Sequence, residues 1–166
     1  MHIEGLALDS FRNYRHLEVA FHPQMNVIWG DNAQGKTNLL EAVAYLSGGS
    51  HRARYDKELI AFDGAQARIR GLVVTRQRHI LLEAQLRRGA KRTLKAGGVP
   101  LKAGGDLPGY LKTVLFCPED LYLIRDGAAA RRRFLDDCLS QLRPRYAAAL
   151  SRYRRLHEHK TRILRD

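Results

Sequence analysis

Nine residues constrain this chain more than any others: Gly30-Asp31-Asn32-Ala33-Gln34-Gly35-Lys36-Thr37-Asn38. Before them stands a short apolar run, Met25-Asn26-Val27-Ile28-Trp29. After them a helical pattern, Leu39 to Ser47, stops at Gly48-Gly49. Gly30, Gly35, Lys36 and Thr37 fit the pattern G-x-x-x-x-G-K-[ST], which requires a strand before it and a helix after it. A loop wound by glycines turns successive backbone N–H groups inward and makes a nest for anionic oxygens. A helix that starts at Lys36 adds its own unpaired N–H groups and the positive end of its dipole. In that geometry Lys36 reaches the β- and γ-phosphates of a nucleotide, and the Thr37 hydroxyl takes one position on Mg²⁺. An α/β chain with strand, loop and helix at its centre is the expectation.

With 166 residues there is room for one domain, or one domain and part of another. A hydrophobic content of 45% is enough for a core. The formal charge of +12 and a pI near 10.2 suit a polyanionic partner, nucleic acid ahead of an anionic membrane surface. No apolar run approaches the length that spans a bilayer, and Met1 leads into a strand pattern without a signal-peptide profile. The expected location is cytoplasmic, with no membrane partner. Cys117 and Cys138 lack metal-ligand spacing and read as buried free thiols.

In chain order, His2 to Leu8 reads as a strand ending at the polar pair Asp9-Ser10, and Leu17 to Phe21 alternates as a half-buried strand does. These two form an expected antiparallel pair ahead of the phosphate loop. Ala67 to Val74 and His79 to Leu86 read as a hairpin. Arg92 to Lys95 and Val99 to Lys102, around Gly97-Gly98, read as a second, shorter one. Leu107 to Leu111 reads as one helical turn, and Thr113 to Phe116 as a short buried strand. From Asp126, a plausible N-cap, apolar residues recur at helical spacing, and Pro144 opens a second helix. Eleven basic residues face four acidic ones from Arg131 onward, a net of +7.

Five segments together resemble the RecF family, ATPases of the ABC type related to SMC heads. They are Leu6-x-Leu8-x-x-Phe11-Arg12-Asn13-Tyr14, the loop through Ala42, Ser50-His51-Arg52 with Asp56 to Ile60, Phe116-x-Pro118-Glu119-Asp120-Leu121, and Arg131 to Asp136. What the resemblance implies is the N-terminal part of an ABC-type ATPase head: a mixed sheet around the phosphate-loop helix, an antiparallel β-subdomain and the start of a helical arm. The implied division is residues 1–125 for the head and 126–166 for the arm. Implied too are ATP with Mg²⁺, homodimerisation on ATP binding, DNA that is single-stranded, gapped or at a junction, and the partners RecO and RecR.

Site residues follow from the same resemblance. Gly30 to Asn38 and Arg12 are expected at the nucleotide, Arg12 because a guanidinium matches phosphate bidentately. Thr37 is the expected Mg²⁺ ligand, with Glu119 as a second through a bound water. His51, Arg52, Arg54 and the cluster Arg131-Arg132-Arg133 are candidates for DNA phosphates. The chain departs from the ABC pattern in having neither a signature segment nor a strand ending in paired carboxylates. No catalytic residue is therefore assigned, and ATP turnover by these residues alone is expected to be little or none. Asp136 and Asp137 read as a solvated helix face. His157 and His159, two apart on a helix, do not share a face for a metal. Two readings compete: a phosphate-loop kinase or small-molecule NTPase, and a DNA-binding fragment with a vestigial nucleotide site.

Overall fold

Period-two burial builds the first hundred residues into a sheet. The computed structural model describes residues 1–50, 52–53, 55–101, 107–123 and 125–164. Strands β1 (His2–Phe11), β2 (Tyr14–Ala20), β3 (Gln66–Val74), β4 (His79–Arg87), β5 (Thr93–Ala96) and β6 (Val99–Pro100) make one sheet in the order β2-β1-β3-β4-β5-β6. Every pairing is antiparallel. Along β3 and β4 alternate residues are buried, so Ala67, Ile69, Val73, Leu82, Ala84 and Leu86 share one face with Leu6 and Leu8 of β1. Both expected hairpins are present. β1 runs on past Leu8 to Phe11, because Asp9 finds partners across the sheet: His16 Nδ1 lies 2.8 Å from its Oδ1, and Arg70 Nη2 donates to Oδ2 at 3.4 Å.

Helix α1 (Lys36–Ser47) covers the apolar face of this sheet through Leu39, Ala42, Tyr45 and Leu46, all buried. Gly71 lets it come close: a Cβ there would lie 2.4 Å from Leu46 Cδ1 and 3.3 Å from Ile3 Cδ1. The far end of α1 is pinned by a polar cluster. Tyr45 Oη donates to Asp56 Oδ1 at 2.9 Å, and Arg92 Nη1 donates to Tyr45 Oη at 3.1 Å. Burial holds the Tyr45 hydroxyl protonated well above its ordinary range, with Asp56 adding to it and Arg92 opposing. The C-terminal end of the phosphate-loop helix is thereby fixed against the sheet.

Two expected strands are not strands. Met25 to Trp29 has no ladder partner among the described residues, and Trp29 is 87% exposed. Thr113 to Phe116 likewise lacks a ladder, and Val114 is fully exposed. Thr113 bonds sideways instead, its N–H donating to Gln141 Oε1 at 2.7 Å and its hydroxyl lying 2.6 Å from that of Ser47. A strand exists only where a neighbour completes its hydrogen bonds, and neither run pairs with any of the six strands described. The expected mixed sheet is therefore not formed among the described residues, while the antiparallel sheet and helices are.

Helices α2 (Gly127–Leu142) and α3 (Pro144–Ile163) follow, with Pro144 at the first turn of α3 as expected. Asp126 stands at the N-cap position but makes no side-chain cap bond. Asp136 is not a solvated carboxylate: it accepts from Tyr146 Oη at 2.5 Å and from Arg154 Nη2 at 2.8 Å, tying α3 back onto α2. The Tyr146 hydroxyl and then Arg154 hold its carboxyl below the usual range. Cys117 and Cys138 are half-buried rather than buried, and neither forms a disulfide among the described residues. No helix among the described residues is long and apolar enough to cross a membrane.

Candidate nucleotide site

The phosphate loop is shaped by residues with left-handed backbone. Ala33 has φ of 66° and Gly35, at the N-cap of α1, has φ of 102°. Gly35 is also a point of close approach, since a Cβ there would lie 2.6 Å from Asn13 Nδ2. That Asn13 amide stitches the loop to the β1–β2 turn: Nδ2 donates to Gln34 O at 3.1 Å, and Oδ1 accepts from Asn38 Nδ2 at 2.8 Å. The helix ladder begins immediately, with Leu39 N–H donating to Gly35 O at 3.0 Å. The N–H groups at the start of α1 thus face the loop with no partner inside the helix.

Lys36 closes the loop. Its Nζ reaches back to donate to Gly30 O at 2.8 Å and to Asp31 O at 2.6 Å. An ammonium is thus held at the mouth by two neutral carbonyls, an arrangement that an incoming phosphate, carrying charge, outcompetes. Thr37 sits in the first turn of α1 with its side chain exposed. Asp31, Asn32, Ala33 and Gln34 are exposed, and Asn38 is half-buried against Asn13.

Arg12 is brought beside the loop, but its guanidinium is gripped from below. Nε donates to Glu41 Oε2 at 3.0 Å, Nη2 to Glu41 Oε1 at 2.9 Å, and Nη1 to the Glu58 carbonyl at 2.9 Å. Three of the five N–H donors of a guanidinium are thereby committed to protein. Sequence reasoning placed Arg12 on phosphate and missed its carboxylate. Glu41 lies one turn beyond Thr37 on α1 and is completely buried. It also accepts from Ser50 Oγ at 2.5 Å, and Ser50 Oγ in turn accepts from the N–H groups of Arg52 and Ala53 at 3.0 and 2.8 Å. Burial pushes the Glu41 carboxyl up, but hydrogen bonds from Arg12 and Ser50 and the charges of Arg12 and Arg52 outweigh it, and it settles below the ordinary value. An acidic residue inside an otherwise apolar helix face is the signal that could have found it.

Beside the loop opens a cleft of about 480 Å³ lined by Arg12, Asn13, Asn38, Arg52, Lys57, Glu58, Ile60, Phe62 and Arg88. Arg52, expected at DNA or near the nucleotide, stands beside the loop: Nη1 donates to Asn38 Oδ1 at 3.4 Å and lies 4.0 Å from Glu41 Oε2. His51 and Arg54 lie outside the described residues. Arg131, Arg132 and Arg133 are exposed on the first turns of α2. Glu119 belongs to the short turn Pro118–Tyr122, and its side chain is outside what the structure describes. Among the described residues no group of three or more His, Cys, Asp and Glu is placed to hold a metal. A Mg²⁺ carried in by a nucleotide needs few protein ligands, and the exposed Thr37 in the first turn of α1 is a hydroxyl that would suit it.

A family model described as an AAA domain matches residues 6–99. The DNA replication and repair protein RecF of Agathobacter rectalis is 42% identical over 168 residues, covering 100% of this chain and 46% of that protein. The chain spans about half the length of the curated relatives it matches. A solved structure of the recombination mediator protein RecF with ATP, from the RecFOR pathway, superimposes with a TM-score of 0.93 at 34% identity, covering 99% of this chain and 44% of that one. A structure from work on ATP-driven dimerization and DNA-stimulated activation of SMC ATPases shares the fold, with a TM-score of 0.61 at 18% identity over 83% of this chain and 99% of that one.

Proposed function

The chain belongs to the AAA-domain family and resembles RecF along its whole length, and from that premise we propose that it is the ATP-binding part of a recombination mediator that acts on DNA in replication and repair. The observation that carries this reading is the loop itself: Lys36 Nζ poised over Gly30 O and Asp31 O, at the N-terminus of a helix locked to a sheet. On arrival of ATP, the loop N–H groups and the start of α1 take the β- and γ-phosphate oxygens, and Lys36 turns from the carbonyls to them. Bound Mg²⁺ would screen the phosphate charge, with the Thr37 hydroxyl as its protein ligand. Glu41 keeps Arg12 and the segment at Ser50 to Ala53 in register with the loop, so occupancy of the site is communicated to the basic stretch that follows α1.

In this reading residues 1–125 form part of the ATPase head and residues 126–166 begin a helical arm. No hydrolytic step is assigned to these residues, and little or no turnover is proposed for them alone. Paired heads would form on ATP binding and hold single-stranded, gapped or junction DNA against basic surface, Arg131, Arg132 and Arg133 among it, with RecO and RecR as partners. The formal charge of +12 supports a polyanionic target and disfavours a small-molecule kinase.

The test is DNA affinity against salt. Anisotropy of a labelled gapped duplex with Mg-ATP present, between about 50 and about 200 mM salt, should show log affinity falling linearly with log salt. Replacing Arg131, Arg132 and Arg133 together by Ala should flatten the slope by about 0.9 for each DNA phosphate that is no longer neutralised. An affinity indifferent to salt, or a triple variant with an unaltered slope, contradicts the DNA assignment.

A further inference from the structure

β2 ends the sheet, and among the described residues no strand lies beyond it. Which of its backbone groups face that open side follows from one bond. Phe21 N–H donates to Glu4 O at 2.8 Å, and Gly5 stands opposite Ala20. Hydrogen-bonded and non-bonded pairs alternate along an antiparallel ladder, so Val19 and Leu17 turn their N–H and C=O toward β1. His16, Glu18 and Ala20 turn theirs outward. These three are also exposed, while Leu17 and Val19 are partly buried against the core.

An open edge is a template for another strand, and charged side chains normally protect it. On β2 the charges exclude most partners and suit one. In an antiparallel pair, outward-facing residues stand opposite outward-facing residues. Two copies of β2 can therefore meet about a two-fold axis at His16, at Leu17 or at Glu18. The first sets imidazole against imidazole and the last sets carboxylate against carboxylate, neither of them favourable. The axis at Leu17 instead sets His16 opposite Glu18 of the partner subunit, twice over, and brings the two Leu17 side chains together in a close non-bonded pair. His16 already stands among carboxylates: Nδ1 is 2.8 Å from Asp9 Oδ1, and Nε2 is 3.9 Å from Glu18 Oε1 of its own strand.

We propose that β2 is a self-recognition edge, at which two copies of this chain pair antiparallel about Leu17. His16 and Glu18 exchange both backbone bonds across the axis. The pairing needs no nucleotide, so it is separate from the joining of heads on ATP binding. A contact of one strand on one strand belongs with the weak, transient interfaces below about 1,200 Å².

Sedimentation of the full chain without nucleotide, from micromolar to millimolar protein, should show a reversible monomer–dimer equilibrium. Glu18→Pro removes an N–H that β1 does not use. Circular dichroism should therefore show a folded chain, while the dimer weakens by at least about tenfold. Glu18→Lys should weaken it as well, and His16→Glu combined with Glu18→Lys should restore it. With Cys117 and Cys138 replaced by serine, Leu17→Cys should oxidise in air to a disulfide-linked dimer, because non-bonded pairs place Cα atoms about 4.5 Å apart. Val19→Cys, off the axis, should not. A wild type that stays monomeric, a folded Glu18→Pro that dimerises unchanged, a charge swap that restores nothing, or equal cross-linking by the two cysteine variants overturns the proposal. So does a dimer that forms only with Mg-ATP and is lost in Lys36→Ala, the outcome expected of ATP-joined heads alone.

Discussion

Glu41 and Arg12 show how one buried charge organises a surface loop. The Glu41 carboxylate is out of water, and it is tolerable there because Arg12 meets it with two parallel N–H bonds and Ser50 with a third. Glu41→Gln should therefore destabilise the fold by about 2 kcal/mol in urea denaturation. That is below the roughly 3–5 kcal/mol of a fully buried broken pair, because the Arg12 side chain keeps 23% exposure. The pH dependence has a definite sign. In the folded state the carboxyl lies below its ordinary value, so the unfolded chain takes up the proton first. The stabilisation is complete above the ordinary Glu value of about 4.3 and is lost as pH falls through the lower folded one. The stability gap between wild type and Glu41→Gln should shrink below about pH 4. A gap that stays constant into acid contradicts this assignment.

At the scale of elements, legibility followed locality. Gly97-Gly98 and the alternating runs of β3 and β4 carry their own turn and face information, so both hairpins could be read directly. The phosphate loop and α1 were equally readable, because glycines, a lysine and a helical stripe specify them within twenty residues. Met25 to Trp29 and Thr113 to Phe116 have strand composition, but composition does not supply the neighbouring edge that makes a strand. Asp9 misled in the opposite direction, its polarity absorbed by His16 and Arg70 across the sheet. Partners distant in sequence account for each miss, Glu41 beneath Arg12 included. The seam between α1 and β3 offers a direct check at this scale. Gly71→Ala would press a methyl group on the Leu46 tip, and should cost about 1–3 kcal/mol, toward the lower end because Leu46 Cδ1 can turn aside. A chemical-denaturation midpoint equal to that of wild type would show that α1 does not sit against Gly71.

For the whole molecule, charge and connectivity point the same way. A sheet with one face under α1, a cleft lined by Arg12, Arg52 and Arg88, and a net +7 from Arg131 onward put a candidate nucleotide site and cationic residues on one short chain. A polar network runs from the loop through Asn13, Asn38, Arg52, Ser50 and Glu41 to Arg12, and in the proposed reading it links phosphate occupancy to the basic segment after α1. All of this depends on one event, capture of ATP phosphates by the loop. Isothermal titration of Mg-ATP into wild type and Lys36→Ala measures it most directly. Lys36 is half-buried at the loop mouth, and the bonds described for its ammonium go to the Gly30 and Asp31 carbonyls of the loop, so its loss should leave the fold standing. The prediction is saturable one-to-one binding by wild type and a loss of at least about tenfold, some 1.4 kcal/mol, in the variant. Equal affinity in the two proteins would contradict phosphate capture by this loop.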